Sequence, residues 1–123
     1  MTKQYKTACV FGGTGFIGRQ IVRELAKLDI RVKVATRVPE SAYFLRPCGA
    51  VGQVVPVACD YNDQKSLQSA VKGCDYVVNC IGILFEKKKS GFTRAHVDIP
   101  AAIAKACKKE QVSRFVHISA LGI

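Results

Sequence analysis

The chain has 123 residues, 49% of them apolar, and 19 basic against nine acidic side chains give it a formal charge of +10. That length supports one domain with a sizeable core, and the apolar fraction, with only ten Gly and four Pro, excludes disordered and collagen-like classes. No apolar run reaches the ~18 residues of a membrane-spanning helix, and the basic residues are spread along the chain without a nucleic-acid motif, so no nucleic acid is expected as a partner.

Residues 1–6 run straight into a strand, and no signal or transit peptide is expected. Thr7-Ala8-Cys9-Val10-Phe11 reads as a buried strand stopped by Gly12-Gly13. From Phe16, Ile17, Ile21, Val22, Leu25 and Leu28 fall on one helical face. Residues 30–36 form a second strand, with Val32 and Val34 alternating against Arg31 and Lys33. Pro39 and Glu40 open a short helix that ends before Pro47. Residues 53–58 make a third strand, and Pro56, which cannot donate to a ladder, assigns it to a sheet edge or a bulge.

Leu67, Ala70 and Val71 mark a short helix closed by Gly73, and residues 76–81 form a fourth strand. The run Lys87-Lys88-Lys89 reads as a solvated loop. Thr93 is placed as the cap of a helix carrying Val97, Ala101, Ala104 and Cys107 on one face, with Pro100 bending it or marking its start. Residues 114–119 form a fifth strand. Four strand-helix alternations with apolar strands predict an α/β, doubly wound parallel sheet. In the order 3-2-1-4-5, strand three is an edge, as Pro56 requires.

Six cysteines without a C-x-x-C pair read as reduced core thiols, and two His 21 residues apart make no zinc site. His117 is expected to pack within its apolar strand and His96 to lie on a helix surface.

Gly12-Gly13-Thr14-Gly15-Phe16-Ile17-Gly18 has G-x-x-G-x-x-G spacing between a strand and an amphipathic helix. Glycines permit a sharp turn and close backbone approach to a pyrophosphate, and the helix start offers free N–H groups. The second strand ends Ala35-Thr36-Arg37, with no acid at its tip to hold a ribose 2′-OH. Arg37 is therefore the candidate for a 2′-phosphate, and NADP(H) is preferred over NAD(H).

The glycine loop, Cys59-Asp60 and Asn79-Cys80-Ile81-Gly82 together resemble the short-chain dehydrogenase/reductase superfamily, in its atypical NmrA-like branch, over residues 7–122. Leu45-Arg46-Pro47, Gly49, Gly52-Gln53, the run from Gly82 to Glu86, Asp98-Ile99-Pro100 and His117-Ile118-Ser119 are similar to a narrower family. This is the NADPH-binding accessory subunits of respiratory complex I (alpha subcomplex subunit nine) and their bacterial relatives. The resemblance implies one Rossmann-type NAD(P)-binding domain over residues 1–123, the N-terminal portion of a longer protein without its C-terminal substrate region.

It further implies that Gly12, Gly13, Thr14, Gly15, Phe16, Ile17 and Gly18 hold the pyrophosphate and that Arg37 holds the 2′-phosphate. Asp60 would accept from the adenine amino group, Cys80, Ile81 and Gly82 would line the path to the nicotinamide ribose, and Ser119 would approach the nicotinamide. Complex I subunits would be partners, with peripheral membrane association, in the mitochondrial matrix or the bacterial cytoplasm at the inner face of the membrane.

Catalytic members of the superfamily pair a Tyr-x-x-x-Lys after strand five with a Ser. The one literal match, Tyr61 to Lys65, follows strand three and is rejected, so no catalytic residue is assigned. The expected function is structural or regulatory cofactor binding. The alternative is the cofactor-binding half of an NAD(P)-dependent reductase or a sugar-nucleotide epimerase or dehydratase. A fifth strand ending the sheet would leave Phe115, Val116 and Ile118 on an open edge, so self-association or cover by a partner is expected.

Overall fold

The computed structural model describes residues 6–81 and 98–118. In chain order it contains β1 (Thr7–Phe11), α1 (Phe16–Lys27), β2 (Arg31–Thr36), a 3₁₀ segment (Pro39–Cys48), β3 (Val54–Ala58), α2 (Gln64–Val71), β4 (Tyr76–Asn79), α3 (Ile99–Lys109) and β5 (Arg114–His117). The strands form one parallel sheet in the order β3-β2-β1-β4-β5, the doubly wound arrangement expected from the sequence. β1 is central and every one of its residues is buried, which suits an unbroken apolar run. Pro56 sits on β3, an edge strand, opposite Val34.

Alternation along β1 divides the core in two. Cys9 and Phe11 face a cluster with Leu67, Val71, Val77, Ile103 and Cys107 beneath α2 and α3. Val10 faces Val22, Val32, Val34, Leu45 and Val54 beneath α1 and the 3₁₀ segment. Phe11 is fully buried, and a side chain of that size contributes roughly 1.5–3 kcal/mol. All six cysteines are free thiols, five of them buried. A hydrogen bond that its thiol donates to Cys74, followed by burial, holds Cys9 well above its ordinary range, so it packs as a neutral group.

Two helical faces differ from expectation. On α1 the buried seam is Gly18, Val22 and Ala26, with Ile21 and Leu25 at its margin, while Leu28 is 69% exposed and Ile17 36%. Small residues let the helix lie close to the sheet, and hydrophobicity alone does not register them. On α3 the buried residues are Ile99, Pro100, Ile103, Ala106 and Cys107, whereas Ala101 and Ala104 are exposed. Alanine fits either face, so the two isoleucines four apart set the orientation. Pro100 stands in the first turn, where its missing N–H costs nothing.

β4 ends at Asn79 and β5 at His117, shorter than the runs expected through 81 and 119. Thr93, Val97, His96 and the lysine run lie outside the described residues. Among the described residues no helix is long and apolar enough to cross a membrane, and no cluster of His, Cys, Asp or Glu could hold a metal ion.

Gln53 fastens the end of the sheet remote from the glycine loop. Its Nε2 donates to the carbonyls of Ala26 (2.8 Å) and Ile30 (3.0 Å), and its Oε1 accepts from Ala50 N (2.9 Å). Gly52 precedes it with φ +78°, a conformation that favours glycine. Replacing Gln53 with Leu should lower unfolding stability by about 2 kcal/mol, the cost of removing partners from part-buried groups. Urea denaturation measures this, and dinucleotide affinity per folded molecule should be unchanged.

Candidate functional site

Parallel strands place all their carboxyl ends on one edge, so the segments following β1, β2, β3 and β4 converge there. After β1 the chain turns into α1 across Gly12 to Gly15. Gly12 has φ +78°, and a Cβ on it would lie 2.8 Å from the Cys80 carbonyl carbon and from Ile81 N. A Cβ on Gly18 would collide with the Gly12 carbonyl oxygen, and one on Gly13 would press on Val34 Cγ1 at 2.9 Å. These three glycines are dictated by internal packing. Gly15 is different: its φ is −76°, and a Cβ there would meet only the Gly12 carbonyl oxygen, at 3.6 Å.

Gly15 is also the N-cap of α1, without a side chain to cap it, and no acidic residue stands in the first turn. The N–H groups of Phe16, Ile17 and Gly18 begin the helix with its positive dipole end facing out. Phe16 is 64% exposed beside them.

At the end of β2, Val38 N donates to Thr36 Oγ1 (3.2 Å) and fixes the turn carrying Arg37. The Arg37 guanidinium lies 5.8 Å from the centre of the Tyr61 ring and, among the described residues, makes no ion pair. Arg37, Ala58, Cys59, Asp60 and Ser66 line a groove of about 450 Å³. One Asp60 oxygen, Oδ1, accepts from Asn62 N (2.9 Å), and Asp60 N donates to Ser66 Oγ (2.9 Å). Oδ2 has no partner among the described residues.

Cys80 and Ile81 stand against Gly12, held by Cys80 N donating to the Phe11 carbonyl (2.7 Å) and Ile81 N donating to Asn79 Oδ1 (3.0 Å). Burial pushes the Cys80 thiol up to about 11, which keeps it a neutral wall group. The structure thus brings the residues from Gly12 to Gly18, Arg37, Asp60, Cys80 and Ile81 to one edge. Gly82 and Ser119 lie outside the described residues.

Three contributors have no site role assigned from the sequence. Tyr61 packs edge-on to Phe11 (centroids 6.1 Å apart) and donates its hydroxyl to the Ala35 carbonyl (3.1 Å), forming the floor on which Arg37 rests. Burial raises this hydroxyl well above its ordinary pKa, the opposite of what an acid–base tyrosine needs. Asn79, with no exposed surface, donates Nδ2 to His117 Nδ1 at 3.0 Å, since its Oδ1 is committed to Ile81 N. That contact uses His117 Nδ1 as the acceptor. His117 is exposed rather than packed, because β5 is an edge strand and its ring follows the Asn79 amide. Arg19, the third, lies in the first turn of α1; its spacing of four from Gly15 is the only sign of it in the sequence.

The chain is similar to NADH dehydrogenase [ubiquinone] 1 alpha subcomplex subunit 9, mitochondrial, of Rattus norvegicus, with 37% identity over 115 residues, 93% of this chain and 30% of the relative. It is also similar to the NADH-ubiquinone oxidoreductase 40 kDa subunit, mitochondrial, of Neurospora crassa, at 35% identity over 113 residues, 92% of this chain and 30% of that one. The chain thus spans about 30% of the length of these curated relatives. Among solved structures, a mutant uronate dehydrogenase of Agrobacterium tumefaciens complexed with NAD superposes with a TM-score of 0.75 at 24% identity, covering 94% of this chain and 41% of the enzyme. That likeness speaks for the fold alone. The family described as NAD(P)H-binding matches residues 12–123, and the chain belongs to that family.

Proposed function

We propose that the chain binds NADP(H) at the carboxyl edge of its sheet and serves as a structural or regulatory cofactor-holding domain of the complex I accessory-subunit type. The observation that carries the cofactor reading is Gly15, a glycine demanded by neither backbone angle nor internal packing, seated at an uncapped helix start. Open space at that position is what close approach by a pyrophosphate requires. The residues from Gly12 to Gly18 would hold the pyrophosphate and Arg37 the 2′-phosphate. Asp60 Oδ2 would accept from the adenine amino group, and Cys80, Ile81, Gly82 and Ser119 would follow the ligand toward its nicotinamide end. Bound NADPH carries a transferable hydride, and no described residue is assigned to catalyse its transfer.

Similarity to mitochondrial complex I subunits supports extending the proposal to partners and place: complex I subunits, in the mitochondrion. The formal charge of +10 suits a peripheral position beside acidic surfaces.

NADPH at about 100 times its dissociation constant should stabilise the chain by about 2.7 kcal/mol, read as a melting shift. Absence of any shift with NADPH or NADH would sink the cofactor reading. Arg37→Ala should weaken NADPH by at least about tenfold and leave NADH unaltered, because one charge-assisted contact is worth roughly 1.5–3 kcal/mol. A variant equally weakened for both nucleotides would reject the 2′-phosphate role.

The glycines separate binding from folding. Gly15→Ala should melt close to the parent yet lose more than about tenfold in dinucleotide affinity, whereas Gly18→Ala should lose more than about 2 kcal/mol of stability. Normal nucleotide titration of Gly15→Ala would remove the observation on which the proposal stands.

The outer edge of β5 is unpaired among the described residues, and Val116 there is 42% exposed. We propose that this edge pairs with a second copy when no partner covers it. Sedimentation should show concentration-dependent dimers, abolished by Val116→Lys, an edge charge that opposes pairing and leaves the β4 ladder intact; a monomer throughout would contradict the pairing.

A further inference from the structure

Arg19 stands at the end of α1 where a cation is electrostatically disfavoured, with no acid in the first turn and no ion pair among the described residues. Its guanidinium is nevertheless held on three sides. Nη2 donates to the Thr14 carbonyl (3.0 Å), Nε donates to the Gly15 carbonyl (3.3 Å), and the guanidinium carbon lies 5.1 Å above the Phe44 ring. Phe44 belongs to the 3₁₀ segment that follows Arg37 and is itself 50% exposed. One side chain thus joins two successive loop carbonyls to an aromatic ring from another element.

A trans peptide is planar, with its N–H directed opposite its C=O. Holding the Thr14 oxygen therefore aims Gly15 N–H, which donates to the Gly12 carbonyl at 3.2 Å. Holding the Gly15 oxygen aims the N–H of Phe16, the first of the free helix-start donors. We propose that Arg19, braced on Phe44, is a positioning residue: it sets the Thr14–Gly15 and Gly15–Phe16 peptide planes so that the loop meets a dinucleotide's pyrophosphate already oriented. This rests on the dinucleotide reading above and adds to it a link between the 3₁₀ segment and the phosphate loop. The link is specific to a planar fork, since an ammonium cannot donate to two carbonyls and lie flat on a ring together.

The test compares the parent chain with Arg19→Met, Arg19→Lys, Phe44→Leu and the Arg19→Met/Phe44→Leu double variant. NADPH and adenosine 2′-phosphate, which lacks a pyrophosphate, are titrated against each, and unliganded melting is recorded. Arg19→Met is expected to weaken NADPH about tenfold, a loss of the size of one hydrogen bond to a charged group, with adenosine 2′-phosphate unchanged. Arg19→Lys should fail to restore affinity. Phe44→Leu alone should weaken NADPH, and the double variant should be no weaker than Arg19→Met, because the two act as one unit. Parent-like NADPH affinity in Arg19→Met or Arg19→Lys overturns the proposal, as do additive losses or equal losses for both ligands. A parent chain that binds neither ligand fails the dinucleotide reading itself, a result separable from failure of the positioning role.

Discussion

The turn from β1 into α1 must pass within contact distance of the backbone at the end of β4, and the rest of the binding edge is arranged around that approach. Gly12 makes it possible, because any side chain there would meet the Cys80 and Ile81 backbone. Cys80 N reaches back to the Phe11 carbonyl, which fastens β4 to β1 at the point of closest passage. Gly18 then lies directly beneath the Gly12 carbonyl, and Gly13 lies against Val34 and Val22, so the loop is pressed on the sheet from both sides of the turn. A loop held this firmly loses little further freedom when it binds an anion, which is the physical content of preorganisation.

A second anchor lies one strand away. Asn79 is fully buried at the sheet's carboxyl edge, where an unsatisfied amide would cost about 1–3 kcal/mol. Its oxygen holds Ile81 N and its amide holds His117, so a single polar group fixes the chain leaving β4 and ties β5 to it. Among the described residues no buried side-chain polar atom is left without a partner. The groups available to a ligand are therefore on the surface of the edge, supported by an interior that is satisfied.

The parts legible in the sequence are those where one residue type has one physical use. Pro56 suits only an edge strand or a bulge, and the Gly12 to Gly18 spacing suits a tight strand-to-helix turn. The strand order and four convergent site segments followed from these and from the alternation of elements. What stayed hidden depends on contacts between distant segments. The α3 face was misplaced because alanine packs or faces solvent with equal ease. Tyr61 was legible only as half of a misplaced Tyr-x-x-x-Lys, yet it supports Arg37 through Phe11 and the Ala35 carbonyl. The Gly49 and Gly52-Gln53 segment, which pointed to a narrow resemblance, proves to be a fastener of α1 and β2 at the remote end of the sheet.

Two of the helices that begin at the binding edge, α1 and α2, make the same point about where local rules are broken. α2 starts conventionally, with Asp63 Oδ1 accepting from Lys65 N at 3.0 Å and Asp63 acidic at the positive dipole end. α1 starts with a bare glycine, no acid and a cation, each a poor choice for helix stability. At its other end α1 obeys the rule again, with Lys27 in the last turn beside Glu24. A bare glycine, no acid and a cation coincide on the stretch from Gly15 to Arg19, and stability forgone there is the pattern of a site shaped for a ligand's negative charge.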